Sequence, residues 1–182
     1  GESRTVNRLE VLDIVEFPVL ERVPEGFQRE NWRLQPDGRW RITGRATCTD
    51  LEKYVDRRPG LWIDGYRSNP GGHNRIPLEK TEELITSLRL LSAESVTLVV
   101  YRKSNGRRYV DACFRHAGQY YRLRVTDPVY EERYMARRDG EYRLGGCYLT
   151  ISLGEKFRDE DTGMDYCYKL VAAVIERDKV QN

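Results

Sequence analysis

The clearest pattern of apolar and polar positions lies between Val96 and Thr126. Val96–Lys103 and Arg108–His116 flank Ser104-Asn105-Gly106-Arg107, and Asn-Gly between alternating runs is the strongest short hairpin signal. Ala117-Gly118 then turns the chain into Gln119–Thr126, which predicts a three-stranded antiparallel meander. A two-residue loop at Ala117-Gly118 sets His116 opposite Gln119, so Val110 meets Val125, Ala112 meets Leu123 and Phe114 meets Tyr121 on one apolar face. The other face pairs Asp111 with Arg124, Cys113 with Arg122 and Arg115 with Tyr120, and the opposite charges of the first pair suit a cross-strand contact. An Asn105-Gly106 loop of two residues adds Arg102 beside Tyr109 to that second face, together with Leu98 and Val100.

The remaining pattern is less regular. Leu9–Leu20 is strand-like, with Pro18 as a bend or edge. Pro24-Glu25-Gly26 is a loop, and Asp37-Gly38 turns into an alternating strand, Arg39–Thr47, with Trp40 and Ile42 on one face. Thr49-x-x-Glu52 has the form of a capping box and predicts a short helix from Asp50 to Arg57, closed by Pro59-Gly60. Ser68–Asn74 is the plainest loop, and Leu84, Ile85 and Leu88 predict a helix over Leu78–Leu88. Asp127-Pro128 has the N-cap and first-turn signature of a helix reaching Arg138 and ended by Asp139-Gly140. Cys147–Leu153 is then a strand, Gly154–Asp165 a charged loop, and Tyr166–Glu176 a long final strand.

The 182 residues are 39% hydrophobic and 33% charged, and no apolar run approaches the roughly 20 residues of a membrane-spanning helix. The net charge of +2 conceals an asymmetry, since Val96–Thr126 carries seven basic residues against Asp111 alone, a local +6. Arg supplies 25 of the 31 basic residues, and guanidinium groups fork onto phosphates and stack on bases in ways that an ammonium does not. A GC-rich genome would raise Arg everywhere, so the clustering carries more weight than the count. Cys48, Cys113, Cys147 and Cys167 form no CxxC pair, which argues against structural zinc and for reduced, buried thiols in a cytoplasmic protein.

No catalytic constellation stands out. His116 lies at a hairpin tip and His73 in a Gly-rich loop, where solvated or turn histidines are the rule. Gly71-Gly72 lacks the strand-to-helix context of a phosphate loop, and the run Asp159–Asp165 misplaces the Gly and the bidentate Glu of a calcium loop. Asp127 reads as an N-cap before it reads as a base. Lys169, in an apolar strand, either reaches a phosphate from a barrel face or pairs with an acid. Trp32, Trp40 and Trp62 are expected in core or inter-barrel packing.

Several runs together resemble the bacterial dual OB-containing domain family: Leu12-Asp13-Ile14-Val15-Glu16, Gln28-x-Glu30-Asn31-Trp32, Tyr121-x-Leu123-x-Val125-Thr126-Asp127-Pro128, Ser152-Leu153-Gly154-Glu155-x-Phe157 and Cys167 to Ile175. The resemblance implies two OB-like barrels and nucleic-acid contact, and it supplies no catalytic residues. The family's N-terminal strand region has no counterpart before Leu9, so the first barrel is expected to be incomplete or completed by a segment outside this chain. The expectation is a mainly β protein of two OB-like β-barrels with a few short helices, residues 1–92 forming the first half with a helical insert and 93–182 the second barrel. Its expected role is non-enzymatic binding of single-stranded DNA or RNA, without cofactor or metal. Arg102, Tyr109, Arg115, Tyr120, Arg122 and Arg124 form the expected surface, with Lys169 added on its phosphate-reaching reading. The rival reading is a protein-interaction subunit that docks on a nucleic-acid-processing or defence complex, and an enzyme with an unrecognised site ranks third.

Overall fold

The computed structural model describes residues 4–5, 9–160 and 162–180. Thirteen strands run in chain order as β1 (Arg4–Thr5), β2 (Asp13–Glu16), β3 (Val19–Arg22), β4 (Trp32–Leu34), β5 (Arg41–Arg45), β6 (Arg75–Pro77), β7 (Leu88–Ala93), β8 (Val96–Arg102), β9 (Arg108–His116), β10 (Gln119–Val125), β11 (Gly140–Leu144), β12 (Cys147–Arg158) and β13 (Asp165–Glu176). Three short helices join them: α1 (Cys48–Glu52), α2 (Pro128–Met135) and α3 (Arg177–Val180). The protein is thus mainly β, as expected. One large sheet has the order β11-β8-β9-β10-β13-β12-β7, with β6 added against β13. Every ladder in it is antiparallel except β10–β13, which is parallel through Arg124–Leu170 and Val125–Val171. Among the described residues no ladder joins β7 to β11, so hydrogen bonds do not close the sheet into a barrel. The expected boundary between residues 92 and 93 falls within β7, and β6 and β7 are hydrogen-bonded to strands beyond it.

The meander of β8, β9 and β10 forms where the pattern places it. The β9–β10 register pairs Tyr120 with Arg115, Arg122 with Cys113 and Arg124 with Asp111, as the sequence predicts. Ala117 and Gly118 both take positive φ, +47° and +80°, the mirror-turn geometry that matches strand twist in a two-residue hairpin. The β8–β9 hairpin differs. Lys103 and Arg107 close a three-residue loop, Ser104-Asn105-Gly106, with Gly106 at φ +77°. That extra residue sets Tyr101 opposite Tyr109 and Arg102 opposite Arg108. A one-residue slip moves every side chain to the other face. Leu98 and Val100 are therefore in the core, at 0% and 1% exposure, and Thr97, Val99 and Tyr101 take the outer face.

The core fills the inner face of the large sheet, with Val96, Leu123, Val125, Leu149, Ile151 and Val171 all fully buried. Asp127 caps α2 as expected, accepting from Val129 and Tyr130 N–H at 2.9 and 3.1 Å, and its second oxygen accepts from Val174 N–H at 2.9 Å. The other end of α2 stops at Met135, short of Arg138, because Arg108 donates to the carbonyls of Met135 and Arg137 and holds Asp139 at 2.9 Å. The chain beyond Asp139 becomes β11.

Three other expectations need correction. The capping box is Thr47 with Asp50, not Thr49 with Glu52, and α1 starts at Cys48; Glu52 instead accepts from the Tyr148 hydroxyl at 2.9 Å. The helix over Leu78–Leu88 is a single 3-10 turn, Leu78–Lys80. Ile85 and Leu88 are 62% and 49% exposed and only Leu84 of the stripe packs against buried residues, and Glu30 pulls the chain straight by accepting from Ser87 N–H at 2.7 Å and Ser87 Oγ at 2.6 Å. The charged loop shrinks because β12 and β13 continue past a bulge at Leu153–Lys156 to pair Arg158 with Asp165. Pro18 does separate two strands, β2 and β3. In residues 9–47, however, only Phe27 is buried, and Trp32 and Trp40 lie exposed where packing was expected. Trp62 alone of the three packs against the core, its Nε1 donating to Thr86 O at 2.8 Å.

Cys113, Cys147 and Cys167 are buried free thiols, and Cys48 is half-buried. Burial pushes the Cys147 thiol up to about 12 and the Cys167 thiol up to about 11, and raises that of Cys113. An unfolded chain gives up these protons from about pH 8.5, so the stability they contribute is whole below that pH and is lost as pH climbs toward the folded values. Lys169 has the opposite sign, since burial lowers its ammonium to about 8, but it offsets only one proton of three. The urea midpoint should stay level from pH 7 to 8.5 and fall by pH 10, and a thiol reagent at pH 8 should find only Cys48 before unfolding. A midpoint that holds or rises through pH 10, or four fast thiols, would contradict the burial.

Candidate functional site

The outer face of the meander is built around one carboxylate. Asp111, 3% exposed, accepts from Arg122 Nε and Arg124 Nε, each at 2.9 Å, one on either oxygen. Arg124 also donates to the Tyr101 hydroxyl at 3.1 Å. The Arg122 guanidinium lies 4.9 Å from the Tyr101 ring centre, and that of Arg124 lies 3.9 Å from Tyr109. Burial works against the charge on Arg122, but Asp111 outweighs it and raises the pKa. The group is a paired, half-buried floor with one net positive charge. Removing one arginine would take the charged donor from one oxygen of a buried carboxylate, and removing both would strand it.

A loop crosses this face. Gly72 N–H donates to Arg122 O at 3.2 Å and Arg122 N–H returns to Gly72 O at 3.1 Å, while Lys169 N–H donates to Asn74 O at 2.9 Å. The segment therefore sits where β10 and β13 diverge. Inside it, Ser68 N–H donates to Asn74 Oδ1 at 2.8 Å and Asn74 Nδ2 donates to Ser68 Oγ at 2.7 Å. Gly71 lies so close that an added Cβ would fall 2.0 Å from Asn74 Nδ2. On one side of the loop is a cleft of ≈ 680 Å³ whose lining includes Arg67, Arg75, Lys103, Arg122, Arg124 and Phe157. On the other side is a hollow of ≈ 650 Å³ whose lining includes Arg67, His73, Arg115 and Tyr120.

The expected site residues are thus divided. Tyr109, Arg122 and Arg124 share the cleft, and Arg115 with Tyr120 form the hollow. Arg102 belongs to neither, because the β8 slip puts it on the inner-face register at the hairpin end, where it donates to Gly106 O at 2.6 Å. Lys169 takes the acid-pairing reading. Its side chain is fully buried, and Nζ donates to Ile63 O at 2.8 Å and Asp64 Oδ1 at 2.7 Å. Tyr121 donates to Asp64 Oδ2 at 2.6 Å, and Leu61 N–H donates to the Tyr121 hydroxyl oxygen at 3.2 Å. Burial works against the Asp64 carboxylate, yet the bonds from Lys169 and Tyr121 outweigh it and keep its pKa below the ordinary value.

Residues that the sequence did not single out complete the cleft. Tyr101 would have emerged from the correct β8 register, and Phe157 from extending β12 beyond Leu153. Arg75 is held beneath the cleft by Asp159 and lies 3.9 Å from the Tyr166 ring centre. Nothing local in the sequence marks Arg67. The histidines make loop contacts: His73 Nδ1 accepts from Gly65 N–H at 2.9 Å, and His116 Nε2 lies 3.2 Å from Arg58 O. Among the described residues, no group of three or more His, Cys, Asp or Glu is placed to hold a metal ion, and no helix is long and apolar enough to cross a membrane.

A family model described as the dual OB-containing domain matches residues 2–174. No curated protein and no solved structure matches the chain.

Lys169→Met should cost about 3–5 kcal/mol in urea unfolding by leaving Asp64 without its cation. Adding Asp64→Leu should cost less than the sum of the two single changes, with a coupling above about 1 kcal/mol. Additive losses, or a Lys169→Met loss below about 1 kcal/mol, would show that the pair does not hold the fold.

Proposed function

Since the chain belongs to the dual OB-containing domain family, we propose that it is a non-enzymatic nucleic-acid-binding module that contacts single-stranded DNA or RNA through the outer face of β8, β9 and β10. In this reading the chain carries two OB-like units, and free thiols suit a reducing, cytoplasmic setting. The observation that carries it is the pairing of exposed cations with exposed rings on either side of the loop. Lys103 and Phe157 both line the cleft, with the Lys103 ammonium 5.2 Å from the Tyr109 ring centre, Arg115 and Tyr120 line the hollow, and Arg67 lines both. None of these three cations forms an ion pair among the described residues, and Tyr120 and Phe157 are 48% and 57% exposed. Cations that track phosphates beside rings that stack on bases are the means by which single strands are gripped.

One observation favours the rival role of a docking subunit. Leu9, Val11, Ile14, Leu20, Trp32 and Leu34 are all exposed within residues 9–34, an apolar concentration suited to a protein partner. Salt separates the two, because phosphate binding weakens steeply with ionic strength and apolar docking does not.

Arg67→Ala, Lys103→Ala and Arg115→Ala together should weaken oligonucleotide binding across sequences and lower the slope of log affinity against log salt by about 0.7 for each phosphate that is no longer neutralised. Tyr120→Ala should cost about 1–3 kcal/mol with the slope unchanged. These residues are chosen in place of Arg122 and Arg124, whose loss would act through folding. Fluorescence anisotropy with labelled single strands reads both effects. Absence of binding at low salt, or a folded triple variant that binds like the parent, would move the assignment to the docking role.

A further inference from the structure

We propose that the cleft between the meander and the β12–β13 hairpin takes a single nucleotide, with its base against Phe157 and its phosphate at Lys103 and Arg67. This deepens the nucleic-acid reading above and rests on it. The nucleotide has two possible sources, the terminal residue of a bound strand or a free mononucleotide, and their chemistry at the cleft is the same.

Four observations distinguish this pocket from a track for a continuous strand. Its volume, ≈ 680 Å³, lies within the range of about 300–1,000 Å³ typical of small-molecule sites. The loop that bridges to β10 through Gly72 and Arg122 stands between this cleft and the hollow lined by Arg115 and Tyr120, so the two are separate depressions. The lining is of mixed sign, because Glu155 stands exposed in it without an ion pair among the described residues. A carboxylate there would repel a second phosphate but accepts hydrogen bonds from sugar hydroxyls or base amino groups. Finally, the aromatic rings differ in availability. Tyr101 and Tyr109 already carry the guanidinium groups of Arg122 and Arg124, whereas Phe157 touches Tyr168 edge-on at 5.8 Å and is otherwise open. Phe157 is the ring left for a base. Arg75 Nε, buried in the lining residue beneath it, has no hydrogen-bond partner.

Isothermal titration or NMR titration with adenosine and cytidine 5′-monophosphates, the parent nucleosides, inorganic phosphate, and linear against circular single strands tests the assignment. The monophosphates should bind more tightly than either the nucleoside or phosphate alone. Phe157→Ala should weaken them about 5- to 150-fold, the range that removing one base stack spans, and Phe157→Trp should restore binding. Lys103→Ala should erase the advantage of monophosphate over nucleoside. Phe157 is exposed, so the folded state of these variants is checked directly by their unfolding midpoints. Linear strands binding better than circular ones would identify the strand terminus as the source, and equal binding of both together with tight monophosphate binding would identify the free nucleotide. Strands that bind while monophosphates do not, or monophosphate binding indifferent to Phe157→Ala, would overturn the inference and leave the nucleic-acid reading standing. Phe157-dependent monophosphate binding without any strand binding would keep the pocket and overturn the wider reading, and no binding of either would overturn both.

Discussion

The buried ammonium of Lys169 is the contact on which the outer face of the sheet and its loop depend. It projects from β13 onto the inner face of the sheet, where its charge is tolerated only because Ile63 O and Asp64 meet it. Tyr121 on β10 joins from the neighbouring strand by donating to the same carboxylate. Two strands of the one parallel ladder therefore converge on a single acid carried by an irregular segment. That acid immediately precedes the loop that crosses the outer face. The polar node inside the sheet thus fixes where the loop begins, and the backbone bonds of Gly72 and Asn74 fix where it ends. An apolar replacement could pack as well, but it would not specify the position of the segment in the same way.

A second carboxylate plays the matching part outside. Asp111 holds Arg122 and Arg124 flat, and those guanidinium groups in turn cover Tyr101 and Tyr109. The most basic stretch of the sequence is therefore largely self-neutralised, and its strongest charges serve as floor. Free positive charge is left to side chains at the margins, where water screens it and a ligand can compete for it. Local charge density in the sequence marked the region but not which of its cations are left unpaired.

The β9–β10 register was legible because the turn residues and the apolar alternation agree on it. In β8 they conflict: Asn-Gly suggested a two-residue loop, whereas Val96, Leu98 and Val100 align with the core only if the loop has three. The buried alternation won, since core burial of three large side chains outweighs a turn preference. The helix expected over Leu78–Leu88 failed for a related reason, because only Leu84 of its stripe found buried residues to pack on and Glu30 offered Ser87 a better set of bonds. The extent of β12 was hidden by charge, as Glu155, Lys156 and Arg158 resemble a loop while remaining in register with β13. The partner of Lys169 could not be read at all, because Asp64 lies 105 residues away in a segment with no periodicity.

The parallel pairing of β10 with β13 has a consequence for how the cleft comes into being. Each of its walls is an antiparallel hairpin that closes on contacts local in sequence, the meander on one side and β12–β13 on the other. The ladder that joins them links residues separated by α2, β11 and β12, and so carries a much larger loop-closure entropy. The cleft is then a late product of folding, absent from either half alone. A chain with native hairpins but an unzipped central seam would display its arginines and rings without the geometry that brings them into one cleft.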